Sequence, residues 1–312
     1  MAQHPRTLRR WRGGEEMNVP EHLIYPLEPF AAEYRKHVEI GERKFSDASV
    51  VFVGLARNCA QHLRGNLSRL EELVQGCREW QLHIETNDND DDTDQVLIDF
   101  CASHRQATFT SQRLGRKQFS AEFAGPRTVA LAEYRTACQR WVQENARYAD
   151  YVVAIDFDAW GGWSHAGFLH GMGRMHETPD AAGMASVSLI QHPQLEMGED
   201  KKPKVGIGWV NYDAWALRLN SSFDDYTAGL GGWKHSWLPP VGSPPVPVAS
   251  AFGGMAIYDM HAYLRGTYSG EDCEHVGFTR TMTERTKMKM YLDPSMRTVM
   301  HWIPDGGQHS ND

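Results

Sequence analysis

Asp156 and Asp158, separated only by Phe157 at the end of the apolar run Tyr151 to Ile155, are the residues whose type and spacing point most directly to chemistry. In an extended strand alternate side chains share a face, so both carboxylates project one way and Phe157 the other. Two same-side carboxylates at a strand end can hold a divalent cation, and that cation can neutralise a diphosphate leaving group. The same three residues also suit a solvated turn, because strands commonly end in Asp-containing turns. The surrounding residues have to separate the two readings.

Four further groups carry polar chemistry at predicted element ends. Gly54-Leu55-Ala56-Arg57-Asn58 opens a strand into a helix, where backbone amides can face an anion and Arg57 can reach a nucleotide or its diphosphate. An Arg at such a turn serves a surface ion pair equally well. Glu85, Thr86, Asn87 and Asp88 follow a second strand and can read a base or ribose, or simply form a solvated turn. Arg127 and Arg135 lie eight apart, near two helical turns, so both can approach donor phosphates; a basic helix face is also commonly just solvated. Glu271, Asp272, Glu274 and His275 gather at a predicted helix start, where a carboxylate can hold an acceptor hydroxyl or act as base, and where an acidic first turn is favoured in any case.

Other residues are candidates for the sugar side. Gly253 and Gly254 interrupt an apolar stretch, Ser250 to Tyr258, and would let a sugar approach the backbone; a bulge competes as explanation. Trp160 and Trp163 flank Gly161-Gly162 and can stack on a sugar ring or pack in a core. Leu219 to Val248, rich in Gly, Pro, Ser and Trp, reads as a lid or substrate wall bearing Tyr226, Trp233 and Trp237. His301 on a late extended segment is a candidate third metal ligand, although a lone His is more often structural.

The elements that must position these residues follow from hydrophobic patterning. A polar arm and a helix over residues 29–44 lead to a near-continuous apolar strand, Ser49 to Leu55, and a helix over 59–75 with Leu63, Leu67, Leu70, Leu73 and Val74 at helical spacing. A strand over 81–85 precedes a helix to about Ser103, capped by Asp92 or Thr93, then a strand over 107–111 and a long helix over 127–147 burying Leu131, Tyr134, Cys138, Trp141 and Val142. Strands alternating with helices predict an α/β fold with a mostly parallel central sheet flanked by helices, ligands binding beyond the strand C-terminal ends. Further strands are expected over 185–191 and 206–215 in a smaller acceptor-side C-terminal portion. The expected organisation is an arm and helix over 1–45, one domain over 46–304 with its nucleotide-sugar half at 46–160 and acceptor half at 161–304, and a disordered tail over 305–312.

Composition narrows the class. The chain has 312 residues, 41% of them hydrophobic, enough for a substantial core, and a formal net charge of −8 that disfavours nucleic acid as a partner. Five scattered cysteines without a C-x-x-C pair suggest neither a disulfide framework nor a zinc cluster, which fits a reducing compartment. The basic start to Arg12 lacks a signal-peptide apolar core, and no run reaches transmembrane length, so a cytoplasmic location is expected. No G-x-G-x-x-G or G-x-x-x-x-G-K-[ST] loop occurs, so diphosphate binding would rely on metal and basic side chains.

In chain order the sequence carries A-R-N after the first strand, E-T-N with a downstream D-D-T, R-T-V-A-L-A-E-Y-R, and D-F-D on a strand. This order resembles nucleotide-sugar glycosyltransferases of the GT-A fold and is most similar to the fungal capsule mannosyltransferase-like family, over residues 49 to 302. The resemblance implies a hexosyltransferase acting on a UDP- or GDP-sugar, with Mn²⁺ or Mg²⁺ on Asp156 and Asp158 and an acceptor near Gly270 to His275. It implies donor contacts from Ala56, Arg57, Asn58, Glu85, Asn87, Arg127, Arg135 and the D-x-D including Phe157. Retention is the family tendency, with Glu274 in support; Asp272 or Glu271 is the candidate base for an inverting reaction. Two departures stand out: Gly253-Gly254 replaces an N-G-type segment, and a membrane anchor is missing. The competing classes are a metal-dependent phosphohydrolase or nucleotidyltransferase using the same acids, and a non-catalytic glycan-binding protein using the tryptophans.

Overall fold

Short 3-10 turns at Glu21–Leu23 and Glu28–Phe30 bring the chain into helix α1 (Ala31–Asp47), which delivers it to strand β1 (Ser49–Ala56). A computed structural model describes residues 19–119, 125–197, 201–219 and 232–303. The expected tail over 305–312, the basic segment up to Arg12 and Tyr226 fall outside the described residues. After β1 come α2 (Ala60–Val74), β2 (Glu79–Asn87), α3 (Thr93–Ser103), β3 (Ala107–Gln112), α4 (Pro126–Asn145) and β4 (Tyr151–Asp156). The chain continues through β5 (Gly162–Trp163), α5 (His165–Glu177), β6 (Ala181–Met197), β7 (Pro203–Asn211), β8 (Val246–Val248), β9 (Met255–Asp259), α6 (Met260–Tyr263), α7 (Glu274–Thr286) and β10 (Lys289–His301).

One sheet runs in the order β3-β2-β1-β4-β9-β6-β10-β5, with β7 paired to β6 and β8 to β10. The expected parallel arrangement is present across β3, β2, β1 and β4, and again between β6 and β10. Strand β9 lies antiparallel between β4 and β6, which makes the α/β sheet mixed. The unbroken apolar character of β1 and β4 has a simple cause: helices cover both faces. Val51, Val53, Val152 and Ala154 join a core with Cys138 and Val142 of α4 and Phe278 and Met282 of α7. The alternate residues Val50, Phe52, Val153 and Ile155 pack with Leu63 and Leu67 of α2 and Phe168 and Met172 of α5.

Several expectations need correction. The stripe of α4 is rotated: Cys138 and Val142 are buried, Arg135 is buried with them, and Leu131 and Tyr134 are only partly covered. Trp141 instead stacks on His83, centroids 4.6 Å apart. At α3 neither Asp92 nor Thr93 caps with its side chain; Asp91 Oδ1 accepts from Thr93 N–H at 2.9 Å. The segments expected as separate strands over 185–191 and 206–215 belong to one long antiparallel hairpin, β6–β7. The strand expected from Ser250 begins only at Met255, because Gly253 and Gly254 turn the chain at φ +67° and +80°.

Candidate functional site

Three neighbouring parallel strands, β1, β2 and β4, end side by side, with Leu55 in register with both Glu85 and Asp156. Their ends open onto a cavity of about 880 Å³. Ala56, Arg57, Glu85, Asn87, Asp156 and Asp158 line it from the strand edge, and Arg127 and Arg135 from the first half of α4. Eight of the ten expected donor-side residues therefore meet in one space, though they span more than a hundred positions in sequence.

The D-x-D geometry follows from how the chain leaves β4. Asp156 N–H donates to Gly254 O at 2.9 Å and Phe157 N–H to Leu55 O at 3.1 Å, which prolongs the strand by one residue. Phe157 turns away from the cavity, fully buried, with its ring edge-on to Trp163. Asn66 of α2, itself 1% exposed, donates through Nδ2 to the carbonyls of Phe157 (2.8 Å) and Ala159 (2.7 Å). This buried amide clamps the turn that carries Asp158.

Charge is concentrated around the two acids. Arg135 pairs with Asp156, and its guanidinium lies 4.7 Å from the centre of the Phe252 ring. Its Nε and Nη1 are buried without a hydrogen-bond partner among the described residues. Burial opposes the Arg135 cation, but Asp156 and Glu274 outweigh it and hold its pKa above the ordinary value. Although Asp158 keeps solvent contact at the mouth of the cavity, the protein packed around it and the neighbouring Asp156 push its carboxyl up to about 7. Burial raises Glu274, with Arg135 opposing. His275 is stacked on Phe252 at 3.8 Å, and burial followed by Arg135 lowers its pKa well below the usual imidazole range, so it is neutral.

The structure separates the remaining expected residues. Arg57 reaches the cavity wall, but its Nη1 and Nη2 donate to the carbonyls of Lys117 (3.1 Å) and Arg116 (2.5 Å). It thereby ties β1 to a loop that Asp88 also holds, accepting from the N–H groups of Leu114, Gly115 and Arg116 at 2.8, 2.9 and 3.0 Å. Asn58 lies off the cavity lining and donates to Gln118 Oε1 at 2.9 Å. Of the three acidic candidates near the acceptor side, only Glu274 lines the cavity. Glu271 is exposed and Asp272 is paired with Arg218 at 3.1 Å.

His301, expected beside the acids, packs against Trp160 (5.9 Å) and Tyr212 (6.4 Å) outside the lining. Among the described residues no group of three or more His, Cys, Asp or Glu side chains is arranged to hold a metal. Trp163 is core, 1% exposed, and Trp160 stacks on His62 at 4.8 Å. Trp233 is half exposed beside Trp237, away from the lining. Gly254 lines the cavity; Gly253 does not, and its N–H donates to Asp213 Oδ2 at 2.8 Å. A Cβ on Gly253 would fall 1.9 Å from Ser186 O, so backbone packing alone requires glycine there.

Sequence reading missed Asp213, Tyr212, His192, His235 and Phe252, all of which line the cavity. Burial first, then the Asp156 and Glu274 charges, raise Asp213 to about 7, with the Gly253 N–H opposing. Asn-Tyr-Asp after an apolar run was a visible signal for Tyr212 and Asp213; Phe252 stands within the Ser250 to Tyr258 stretch and His192 just after the strand expected over 185–191, but nothing local aims either, or His235, at the cavity.

No family model matches the chain, and no curated protein matches it. Among solved structures, it is similar to the mannosyltransferase PcManGT from Pyrobaculum calidifontis in complex with GDP-Man and Mn²⁺, at 11% identity and a TM-score of 0.48, covering 89% of this chain and 67% of that one. It is also similar to M. tuberculosis glucosyl-3-phosphoglycerate synthase (12% identity, TM-score 0.48, 87% and 77% covered) and to S. aureus TarS 1-349 (11%, 0.43, 80% and 60%).

Proposed function

We propose that this protein is a metal-dependent glycosyltransferase that moves a sugar from a UDP- or GDP-sugar to an acceptor hydroxyl. The observation that carries this reading is the convergence of two adjacent acids, two α4 arginines and the polar ends of β1 and β2 around one cavity at the C-terminal edge of parallel strands.

The donor set fits a hard divalent cation. Asp156 and Asp158 supply carboxylate oxygens only, and the two acids share a close cationic partner, Arg135, which pairs with Asp156. With two protein ligands, remaining positions would fall to phosphate oxygens and water, the usual arrangement for Mg²⁺ or Mn²⁺ on a nucleotide. When bound, the cation stabilises negative charge on the departing diphosphate. Arg135 and Arg127 face the same space and add positive charge there. Glu85 and Asn87 line the cavity from the end of β2, Glu85 bonded to His83 and Asn87 to Asp88, and would be the groups to meet a base or ribose. Glu274, Asp213 and Tyr212 line the same cavity and are the candidates to orient an acceptor hydroxyl. Similarity to the fungal capsule mannosyltransferase-like family rests on motif order alone and assigns neither donor sugar nor acceptor.

The test is transfer, followed as nucleoside diphosphate release from UDP- and GDP-sugars with Mn²⁺. Asp156→Asn and Asp158→Asn should each lower turnover by about a hundredfold or more while far-UV circular dichroism stays unchanged. Wild-type rates in either variant, or release of inorganic phosphate instead of the diphosphate, would overturn the assignment.

A further inference from the structure

The β6–β7 hairpin leaves the sheet beyond Ile190: β10 pairs with β6 only that far, while β6 and β7 stay paired from Leu189↔Asn211 to Met197↔Pro203. Residues opposite one another in an antiparallel pair share a face. One face of this ribbon carries His192 and Gln194, which line the cavity. The other carries Leu195 opposite Val205, Met197 opposite Pro203 and Pro193 opposite Ile207. Leu195, Met197, Val205 and Ile207 are 80%, 67%, 72% and 55% exposed. No other part of the described surface concentrates large aliphatic side chains at such exposure. Leu195 belongs to both surfaces, lining the cavity and standing in the apolar face.

We propose that this outer face docks on a lipid surface, so that the acceptor is an amphiphile held there, its hydroxyl entering the cavity past Leu195. The acceptor half of the proposal rests on the glycosyltransferase reading; the docking half does not. Four aliphatic side chains offer on the order of a few hundred Å², short of the roughly 800 Å² per partner of a stable dimer, yet enough for shallow insertion at a membrane interface. Exposed contiguous apolar surface of this kind marks an interaction site. Its continuity with the cavity rim places the apolar partner beside the reacting groups. Lys201, Lys202 and Lys204 at the far end are exposed, but Glu196, Glu199 and Asp200 stand beside them in sequence and match them in number, so docking should depend on the apolar face more than on lipid charge.

The experiment is co-sedimentation of the full chain with phosphatidylcholine vesicles and with phosphatidylcholine–phosphatidylglycerol vesicles. Wild type and an Ile98→Ser control, which alters an exposed apolar residue on α3, should partition equally onto both. The variant Met197→Ser/Val205→Ser/Ile207→Ser, which leaves the cavity lining untouched, should partition at least about tenfold less, with an unchanged melting temperature and an unchanged Mn²⁺-dependent shift on adding UDP or GDP. Failure of wild type to bind either vesicle, or equal binding by the triple variant, overturns the proposal. A wild-type dimer by light scattering that the triple variant abolishes overturns it in favour of a second copy on this face. Vesicle binding without any nucleotide shift leaves docking standing and removes the transferase reading instead.

Discussion

At the scale of single residues, Asn66 and Asp213 have the clearest measurable consequences. Asn66→Leu would leave the buried carbonyls of Phe157 and Ala159 without their donor. It is expected to cost about 1–3 kcal/mol in chemical denaturation and to weaken Mn²⁺ binding by calorimetry, because the turn carrying Asp158 loses its clamp. If metal affinity is unchanged, the clamp has no bearing on the site. Asp213, raised to about 7 by burial first and by Asp156 and Glu274 next, makes a pH prediction. Its unfolded carboxyl titrates near 4, so between about pH 4 and 7 the folded state binds more protons and stability falls as pH rises. Asp158 acts with the same sign. In metal-free buffer, Asp213→Asn should flatten this slope, by less than the limiting ~1.4 kcal/mol per pH unit because Asp213 retains some solvent contact. An unaltered slope would show that Asp213 ionises normally in the fold.

At the scale of elements, the closest packing lies where α1 crosses α5. A Cβ on Gly41 would sit 1.7 Å from Leu169 O, and one on Gly173 would sit 2.1 Å from His37 O. Helix backbones cannot yield at that distance, so Gly41→Ala should destabilise by about 1–3 kcal/mol in urea denaturation; a neutral result would mean that α1 can ride away from α5. The alternation of strands and helices through β4 was legible because βα units bury whole strand runs and one helical stripe, as Ser49–Ala56 and Leu63, Leu67 and Leu70 do. The stripe of α4 was not. Arg135 takes a buried position only because Asp156 and Phe252, remote in sequence, meet it there. The expected strands over 185–191 and 206–215 carry no local sign that they pair as one β6–β7 hairpin, because the pairing is a property of both segments together.

For the whole molecule, ligand binding should report on the site directly. A nucleotide and cation that bind only the folded chain raise its stability by about 2.7 kcal/mol at a hundredfold excess over Kd, and EDTA should reverse the rise. No rise with UDP or GDP and Mn²⁺ would leave the cavity without its proposed donor. Among the described residues, no helix is long and apolar enough to cross a membrane. The sequence by itself determined the α/β architecture, the strand-end position of Asp156 and Asp158 and the exclusion of glycine-rich phosphate loops, because each depends on periodicity or spacing within a few residues. Only the tertiary structure decided that Glu274 and not Glu271 or Asp272 faces the cavity, that His301 and Trp163 stand apart from it, that Asp213 lines it, and that Asn66 clamps the turn behind it. Those outcomes depend on which distant segments the sheet order β4-β9-β6-β10 sets side by side, and the side chains of one segment carry no record of the neighbours they will meet.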